Sequence, residues 1–425
     1  MKSKLVQWGI LLLLALVLRS GAALFWQRHV VPEKEIFYFG DSYTYYWLGQ
    51  SIAEGKSYQF QEHGTAWQIF RMPGYPVLIA PILHFSKTSQ TALLLRFYNI
   101  VFGTLLVAAV GFLAFQLFRD HKTALLAGFF VAIDPCTMIT SVWVLSEPPF
   151  CLVIVLQMAS LVKIGRIHSK GERFRYSLLF GTLHAAAVSL RPSWLYFAPM
   201  IFVFCFLFTW KTVPFFAVVR KIVPVFFLSG AVFCILLSPW WVRNYRVSGH
   251  FVMTTLQMGA SLYDGLSPAA TGASDMTFTE KFRLEERRHA TGDPADTEEY
   301  RLDRRMKQAS LDWAKNHPGQ VLKLAAVKFC RLWNVWPNEP AFSRIALKLV
   351  IFFSYVPVML TAFAGIFRCR KQGVEFLMLL VPAVYVTSLH VIFVSSLRYR
   401  VPVMPFFMIF AASWLMQRRN VKKHT

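Results

Sequence analysis

Long apolar runs separated by short connections constrain the fold of this chain more than any other feature of its sequence. A helix needs about 20 apolar residues to cross a bilayer. The candidate spans are Leu5–Trp26, Leu93–Phe118, Thr123–Ile133, Pro148–Ile164, Tyr176–Leu190, Trp194–Trp210, Ile222–Trp241, Ile345–Phe367, Val374–Val394 and Val401–Met416. We read the first as a retained span rather than a cleaved signal peptide. The pattern predicts an all-α polytopic membrane protein in which 1–425 form one integral membrane domain.

The composition agrees with a membrane protein and excludes several other classes. Hydrophobic residues make up 56% of the 425 residues and charged residues only 16%, whereas soluble domains carry about 25% charged residues. The net charge of +23 would by itself suit a nucleic-acid binder. The basic residues instead form short clusters between apolar runs, so we expect no nucleic-acid partner. The six cysteines are scattered without metal spacing, which excludes a disulfide scaffold.

The basic clusters predict the orientation of the chain. When sides alternate along the spans, the short basic connections all fall on the side of the N-terminus. They contain Arg119, Lys122, Lys163, Arg166, Lys170, Arg173, Arg175, Lys211, Arg220, Lys221, Arg368, Arg370, Lys371, Arg418, Arg419, Lys422 and Lys423. Cytoplasmic loops are enriched in Lys and Arg, so we predict that both termini are cytoplasmic. No N-x-Ser/Thr acceptor occurs, which favours a bacterial inner membrane over a secretory-pathway membrane.

Two long loops are predicted on the outer side, 27–71 and 242–338. The second mixes acids and bases, and we interpret most of its charges as solvated surface. Its last part, Pro318–Trp336, has apolar residues at helical spacing and predicts an amphipathic helix in the membrane interface. The first loop contains Gly40–Gly55, which reads as a short helix with Asp41 at its start and Tyr45 on one face. Asp41 is either a plain N-cap or a carboxylate usable as a general base.

Arginines and a second carboxylate recur at the predicted outer ends of spans. Arg71 precedes the helix-starting segment Pro73-Gly74-Tyr75-Pro76, and it could either hold a phosphate or snorkel to the interface. The others are Glu147, Arg191, Arg243 with Asn244, and Arg398-Tyr399-Arg400. Because Lys and Arg are enriched in cytoplasmic loops, few arginines are expected on the outer side of the membrane. A cluster of arginines here therefore indicates an anionic ligand such as a lipid phosphate.

Taken in order, these motifs resemble those of the membrane glycosyltransferases of the GT-C fold. The nearest group is similar to glycosyltransferase family 39 and its bacterial relatives, including protein O-mannosyltransferases, the lipid A aminoarabinose transferase and the Rgt proteins. The elements that carry the resemblance are Asp41 with Tyr45 and Gly55, Arg71-x-Pro73-x-Tyr75-Pro76, Ser146-Glu147-Pro148, Leu190-Arg191-Pro192, Pro239-Trp240 with Arg243-Asn244-Tyr245, and Arg398-Tyr399-Arg400-Val401-Pro402. They extend over nearly the whole chain.

The resemblance implies a GT-C-type bundle of about ten transmembrane helices with outer juxtamembrane helices. It implies inverting transfer of a sugar from a polyprenyl-phosphate donor to a lipid or glycan acceptor at the outer face. Asp41 aligns with the family's catalytic acid. In protein mannosyltransferases a Glu follows that acid, whereas Ser42 follows it here. This difference favours the bacterial lipid- or glycan-modifying branch over the protein-modifying one.

The resulting prediction assigns catalytic roles to Asp41 and Glu147. Substrate-binding roles are assigned to Tyr45, Arg71, Tyr75, Arg191, Arg243, Asn244, Arg398, Tyr399 and Arg400. No cofactor is required, and a divalent metal between Asp41, Glu147 and the phosphate stays open. Two other readings also stay open. A transporter or flippase would show internal symmetry and broken helices at the midplane, and a non-catalytic component of a glycan-assembly complex would need no chemistry at Asp41.

Overall fold

The fold is mostly helical in the part of the chain that the structure, a computed structural model, describes: residues 2–31, 35–86, 90–211, 213–288, 296–338 and 344–421. The helices of the bundle are α1 (Lys2–His29), α4 (Thr91–Phe118), α5 (His121–Ile133), α7 (Glu147–Arg166), α8 (Lys170–Leu190), α9 (Phe197–Trp210), α10 (Phe215–Ser248), α15 (Ile345–Cys369), α17 (Val381–His390) and α19 (Met404–Val421). Between them lie α2 (Gly40–Ala53), α3 (Gly74–Phe85), α6 (Pro135–Val142), α11 (Met258–Gly265), α12 (Phe278–Arg288), α13 (Glu298–Asn316), α14 (Pro318–Trp333), α16 (Val374–Leu377) and α18 (Leu397–Arg400).

The number of membrane spans is close to the expectation but somewhat lower. Within the described residues, seven helices are long and apolar enough to cross a membrane, or eight when α5 and α6 count as one span bent by 57°. Pro135 explains the bend, because it disfavours helical geometry at Asp134, whose carboxylate then caps α6 through the N–H of Thr137. The predicted span Tyr176–Leu190 is helical, and the predicted span Val374–Val394 is helical as far as His390. However, α8 begins with charged residues, and Val374–His390 is short.

One short sheet interrupts the helical pattern. Strands β1 (Phe60–Glu62) and β2 (Thr65–Trp67) form an antiparallel hairpin in loop 27–71. The turn places His63 and Gly64 at φ values of 52° and 82°, the positive values that a tight hairpin turn requires. This hairpin was not predicted from the sequence, and it leaves the predicted all-α class unchanged. Strands of three residues are too short to leave a period-2 pattern.

The basic connections meet at one end of the bundle. Arg166, at the end of α7, donates hydrogen bonds to the carbonyls of Gln116 and Leu117 at the end of α4 and pairs with Glu375 at 3.0 Å. Lys221 of α10 donates to the carbonyl of Gly165. The connections α4–α5, α7–α8, α9–α10 and α15–α16 thus lie together, at the end of α7 opposite Glu147. Lys422 and Lys423 of the predicted tail lie outside the described residues.

Loop 242–338 is folded, and several of its charges are buried. Glu286 is 1% exposed and accepts hydrogen bonds from Arg301 and Arg305, which joins α12 to α13. Glu299 is 2% exposed. The interpretation of these charges as mostly solvated surface was wrong for these two acids, because their partners come from other elements.

Helix α14 (Pro318–Trp333) covers most of the segment Pro318–Trp336 that was predicted as an amphipathic helix in the membrane interface, and it ends at Trp333. Leu322 and Phe329 are exposed on one side, whereas Leu332 is buried. Lys328 is also buried, and its ammonium donates to the carbonyls of Gly265 at 2.8 Å and Ile392 at 2.5 Å. This lysine attaches α14 to the segment that leads to Arg398.

Candidate functional site

Two carboxylates and three arginines form a continuous network at the end of the bundle opposite the basic connections. Arg71 donates from Nη2 to Asp41 Oδ1 at 2.6 Å, and Arg398 donates from Nη2 to Asp41 Oδ2 at 3.1 Å. Arg398 also donates from Nε to Glu147 Oε1, and Arg191 Nη1 lies 2.9 Å from the same oxygen. The order is therefore Arg71, Asp41, Arg398, Glu147, Arg191. Arg398 connects the two acids.

Breaks in helices place each of these side chains. Asp41 lies in the first turn of α2 and Glu147 in the first turn of α7, where a helix dipole favours negative charge. Arg191 is held extended between α8 and Pro192, as expected for a residue before proline. Ser396 caps α18 by accepting from the N–H of Arg398.

A close approach between the backbones of α3 and α8 brings the segment of Arg71 near the segment of Arg191. A Cβ added at Gly74 would lie 2.5 Å from the carbonyl oxygen of Ser189, so only glycine lets the start of α3 reach the end of α8. Arg71 lies three residues before this contact and Arg191 two residues after it. The two helix ends therefore share one site although they are more than 100 residues apart in the sequence.

The network carries an excess of positive charge in a mostly buried setting. The side chain of Glu147 is 1% exposed, those of Arg71, Arg191 and Arg398 are 15%, 17% and 19% exposed, and Asp41 is 36% exposed. Two negative and three positive groups leave one net positive charge. Limited exposure weakens solvent screening, so the site attracts an anion.

The arginines also control the acidity of Asp41. Burial by itself would raise the pKa of this carboxyl, but the charges of Arg71 and Arg398 and their hydrogen bonds outweigh burial and hold the pKa below its usual range. Asp41 is thus an anion at neutral pH. It is also a weak base for as long as both arginines contact it.

One oxygen of Glu147 has no partner among the described residues. Oε1 accepts a hydrogen bond from Arg398 and forms an ion pair with Arg191, while Oε2 is buried and accepts no hydrogen bond. A buried carboxylate oxygen without a donor costs roughly 1–3 kcal/mol. A hydroxyl donor of a bound substrate would relieve that cost.

Aromatic side chains surround the network. The Tyr45 hydroxyl lies 3.3 Å from Ser146 Oγ, and the Arg71 guanidinium lies over its ring at 5.2 Å. Tyr399 stacks on His390 with ring centroids 4.2 Å apart, and the Arg191 guanidinium lies 5.8 Å from its ring. The structure therefore brings the predicted residues Tyr45 and Tyr399 to the carboxylates.

Tyr75 lies behind Tyr45 rather than in the network itself. Its ring contacts that of Tyr45 at 5.0 Å, and its hydroxyl donates to Asn99 Oδ1 at 3.1 Å. Tyr75 is fully buried. Tyr75 therefore supports the ring of Tyr45 by packing against it.

Three predicted site residues contact other parts of the molecule. Arg243 donates to the Tyr58 carbonyl at 2.8 Å and lies over Trp240, while Asn244 donates to the Val252 carbonyl at 3.0 Å. Arg400 donates to the Leu332 carbonyl at 3.3 Å and lies 3.8 Å from the ring of Tyr355. Arg400 follows Arg398 by two positions, and residues at that spacing do not share a helix face.

Other residues join the site without having been predicted from the sequence. Arg71 donates from Nη1 to Gln257 Oε1 at 2.9 Å and from Nε to Thr44 Oγ1 at 3.3 Å. Thr44 follows Asp41 by one helical turn, so its position in the sequence carried a usable signal. Gln257 and His390 come from distant segments with no such signal.

The residue set does not fit a divalent cation. Within the described ranges, no three His, Cys, Asp or Glu side chains converge. The two carboxylates of the network already contact arginines, whose charge repels a cation. We therefore derive no step through a metal.

Comparisons with known proteins agree with this fold. A sequence profile of the family "Dolichyl-phosphate-mannose-protein mannosyltransferase" matches residues 57–255, slightly less than half of the chain. That range includes Arg71, Glu147 and Arg191 but neither Asp41 nor Arg398. No curated protein matches the sequence.

Solved structures match over nearly the whole chain. The apo oligosaccharyltransferase of Archaeoglobus fulgidus gives a TM-score of 0.60 at 15% identity, covering 98% of this chain and 51% of that one. AglB of the same organism, in complex with an inhibitory peptide and a dolichol-phosphate, gives 0.58 at 16% identity with coverages of 98% and 51%. ArnT of Cupriavidus metallidurans bound to undecaprenyl phosphate gives 0.48 at 12% identity with coverages of 97% and 78%. The chain thus spans about half the length of the oligosaccharyltransferases that it matches.

The bundle and the two oligosaccharyltransferase matches define a polytopic membrane protein with the GT-C fold, as the resemblance predicted. Over residues 57–255 the chain is in addition similar to the dolichyl-phosphate-mannose-protein mannosyltransferases.

Proposed function

We propose that this protein transfers a sugar from a polyprenyl-phosphate-linked donor to a lipid or glycan acceptor at the outer face of the membrane. The network that joins Asp41 and Glu147 through Arg398 is the observation that carries this proposal. The network contains a carboxylate that can accept a proton from the acceptor and arginines that can bind a phosphate. It lies at one end of the helical bundle.

The comparisons support this class of reaction. The matching profile describes enzymes that use dolichyl-phosphate-mannose, and a protein with the same fold is in complex with a dolichol-phosphate. A lipid-linked phosphate would meet the excess positive charge of the network at the membrane surface.

The proposed reaction is a single displacement with inversion at the anomeric carbon. The acceptor oxygen forms a bond to that carbon, and its proton passes to Asp41. The bond from the anomeric carbon to the phosphate oxygen breaks, and the electron pair leaves with the polyprenyl phosphate. Arg71, Arg191 and Arg398 stabilise the leaving group; for comparison, removing a single preorganised oxyanion-hole donor costs about 3–4 kcal/mol in a known enzyme.

Donor binding would also activate the base. A phosphate that draws Arg71 and Arg398 toward itself weakens their contacts with Asp41. The pKa of Asp41 then rises toward its usual range, because those contacts are what lower it. The weak base of the free protein thereby becomes a stronger base once the donor is in place. The unpartnered oxygen of Glu147 is placed to accept a hydrogen bond from the acceptor.

The first test is Asp41→Asn, measured as transfer from a labelled polyprenyl-phosphate sugar by purified protein in detergent or nanodiscs. We expect transfer to fall by about 10²- to 10⁴-fold, the usual contribution of a general base. Asp312→Asn, in an exposed part of α13, is the matched control and should leave the rate unchanged. A folded Asp41→Asn protein with the wild-type rate would remove Asp41 from catalysis. If wild type and Asp41→Asn both move the lipid across the membrane and neither transfers a sugar, the result would favour the flippase hypothesis.

A further inference from the structure

A cavity of about 320 Å³ lies between α2 and the β1–β2 hairpin, outside the carboxylate–arginine network. We call it the α2 cavity. Its walls are formed by Trp47, Gln50, Ser51, Glu54, Lys56, Gln59, Phe60 and Gln61. None of these residues contacts Asp41, Glu147 or the arginines of the network in the contacts described above, so the proposed transfer reaction leaves the cavity without a role.

Helix α2 separates the cavity from the network. Asp41, Tyr45 and Leu48 follow the spacing of one helix face, whereas Trp47, Gln50 and Glu54 follow that of the opposite face. Gln50 lies nine positions after Asp41, which is about 13 Å along the helix axis at 1.5 Å per residue. The two sites therefore share one rigid element and face different directions.

The cavity combines an aromatic wall with fixed polar groups. The rings of Trp47 and Phe60 lie 5.7 Å apart, and Phe60 is supported from behind by Trp67, its cross-strand neighbour. Trp47 is only partly buried, so its ring is accessible from the cavity. The aromatic wall thus offers a flat apolar surface held in place by packing.

The polar groups are held in place by hydrogen bonds. Gln59 Oε1 accepts from Gln68 Nε2 at 2.8 Å, which leaves the Gln59 amide N–H groups available as donors. Gln50 Nε2 donates to Glu54 Oε1 at 2.9 Å, which leaves the Gln50 carbonyl available as an acceptor. Ser51 donates to the Gln59 carbonyl and so attaches α2 to the hairpin. The cavity therefore offers both a donor side chain, Gln59, and an acceptor side chain, Gln50, beside the aromatic wall.

The charges of the cavity cancel. Glu54 and Lys56 are 2.7 Å apart and pair with each other. No arginine lines the cavity to pair with a phosphate. A lipid tail would leave the polar side chains of the cavity without hydrogen-bond partners. A neutral sugar has an apolar ring face, which can stack on the aromatic wall. It also has many hydroxyls, which can bond to the polar side chains of the cavity.

We propose that the α2 cavity binds a neutral sugar unit of a glycan acceptor. This inference rests on the proposed transferase function and names its acceptor class: a glycan long enough to extend from Asp41 around α2. Binding at a distance from the reacting atoms would add affinity for long acceptors over short ones.

The test measures glycan binding directly, without any transfer. The full-length protein in nanodiscs is titrated, by calorimetry or saturation-transfer NMR, with neutral tetrasaccharides built of mannose, galactose, glucose or N-acetylglucosamine. We expect at least one to bind. Trp47→Ala should weaken that binding by about 10-fold, the usual value of an aromatic contact. Gln50→Ala provides a second variant that keeps the aromatic wall. Trp313→Ala, in α13 and away from the cavity, is the control and should bind like wild type.

Two outcomes would overturn the inference: no tetrasaccharide binds the wild-type protein, or Trp47→Ala and Gln50→Ala both bind as tightly as wild type. Asp41→Asn separates this inference from the proposed function. If Asp41→Asn abolishes transfer and glycan binding depends on neither Trp47 nor Gln50, only the cavity proposal fails. If glycan binding depends on Trp47 and Asp41→Asn transfers normally, only the proposed catalytic role fails.

Discussion

At the scale of single residues, Arg398 is the centre of the site. Its Nε contacts Glu147 and its Nη2 contacts Asp41, so one planar guanidinium serves two carboxylates from different elements. A lysine ammonium is a compact point charge without this fork. Arg398→Lys would keep the charge yet lose one of the two contacts, which separates the geometric role of this residue from its charge.

We expect Arg398→Lys to lower the transfer efficiency (kcat/KM) by about 10²-fold, in the range of a lost transition-state donor. Sugar transfer by purified protein is the measurement. Arg370→Lys, at the basic end of the bundle, is the matched control and should transfer like wild type. Equal efficiency of Arg398→Lys and wild type would show that charge alone is sufficient at this position.

At the scale of elements, helix α13 holds the segment that carries Arg71. Glu299 of α13 accepts hydrogen bonds from the backbone N–H groups of Gln68 at 2.8 Å and Ile69 at 3.0 Å. Ile69 lies two residues before Arg71. The folded loop 242–338 thereby positions an arginine of the network through two backbone contacts, although it contributes few side chains to the network itself.

Glu299 makes stability depend on pH. Burial, only partly offset by the two N–H donors, raises the pKa of Glu299 from 4.5 to about 7. The folded protein therefore holds this proton more tightly than the unfolded chain does. Stability falls as the pH rises through the window from about 4.5 to 7, by up to about 3 kcal/mol at 1.36 kcal/mol per pKa unit. Above that window the loss is complete.

Glu299→Gln should flatten this dependence, because glutamine does not titrate. The measurement is the thermal unfolding midpoint between pH 4.5 and 8. Wild type should lose stability across the window, and Glu299→Gln should lose clearly less. Glu285→Gln, at a half-exposed position of α12, is the control and should follow wild type. Parallel curves for Glu299→Gln and wild type would contradict the raised pKa.

At the scale of the whole molecule, charge is divided between the two ends of the bundle. The connections at one end are short and basic, and Arg166 and Lys221 link them. The other end carries the network, the α2 cavity and loop 242–338. The net charge of +23 thus arises largely from topology, and three arginines at the site end, Arg71, Arg191 and Arg398, pair with the carboxylates of the network.

This division predicts opposite accessibility of the two ends in intact bacterial cells. We expect Glu54→Cys, beside the α2 cavity, to react with a membrane-impermeant thiol reagent without permeabilisation. Lys371→Cys, in a basic connection, should react only after permeabilisation. Cys234 and Cys330 are exposed and would be replaced by serine in both proteins. The reverse labelling pattern would place the site on the cytoplasmic side.

The helical bundle, the basic end, the helix α14 and the chain breaks at the site could be read from the amino-acid sequence. Those breaks place Asp41, Arg71, Glu147, Arg191 and Arg398. Hydropathy, charge and proline are local properties, and a single chain displays them directly. Which arginines pair with the carboxylates, in contrast, depends on how the helices pack. Arg243 and Arg400 do not contact these carboxylates and donate to backbone carbonyls instead, whereas Gln257 contacts Arg71 and His390 contacts Tyr399. The packing of the helices also buried Glu299 and formed the α2 cavity. The physical reason is that a buried polar group takes its partners from whichever element packs against it, and that choice depends on contacts between residues far apart in the chain.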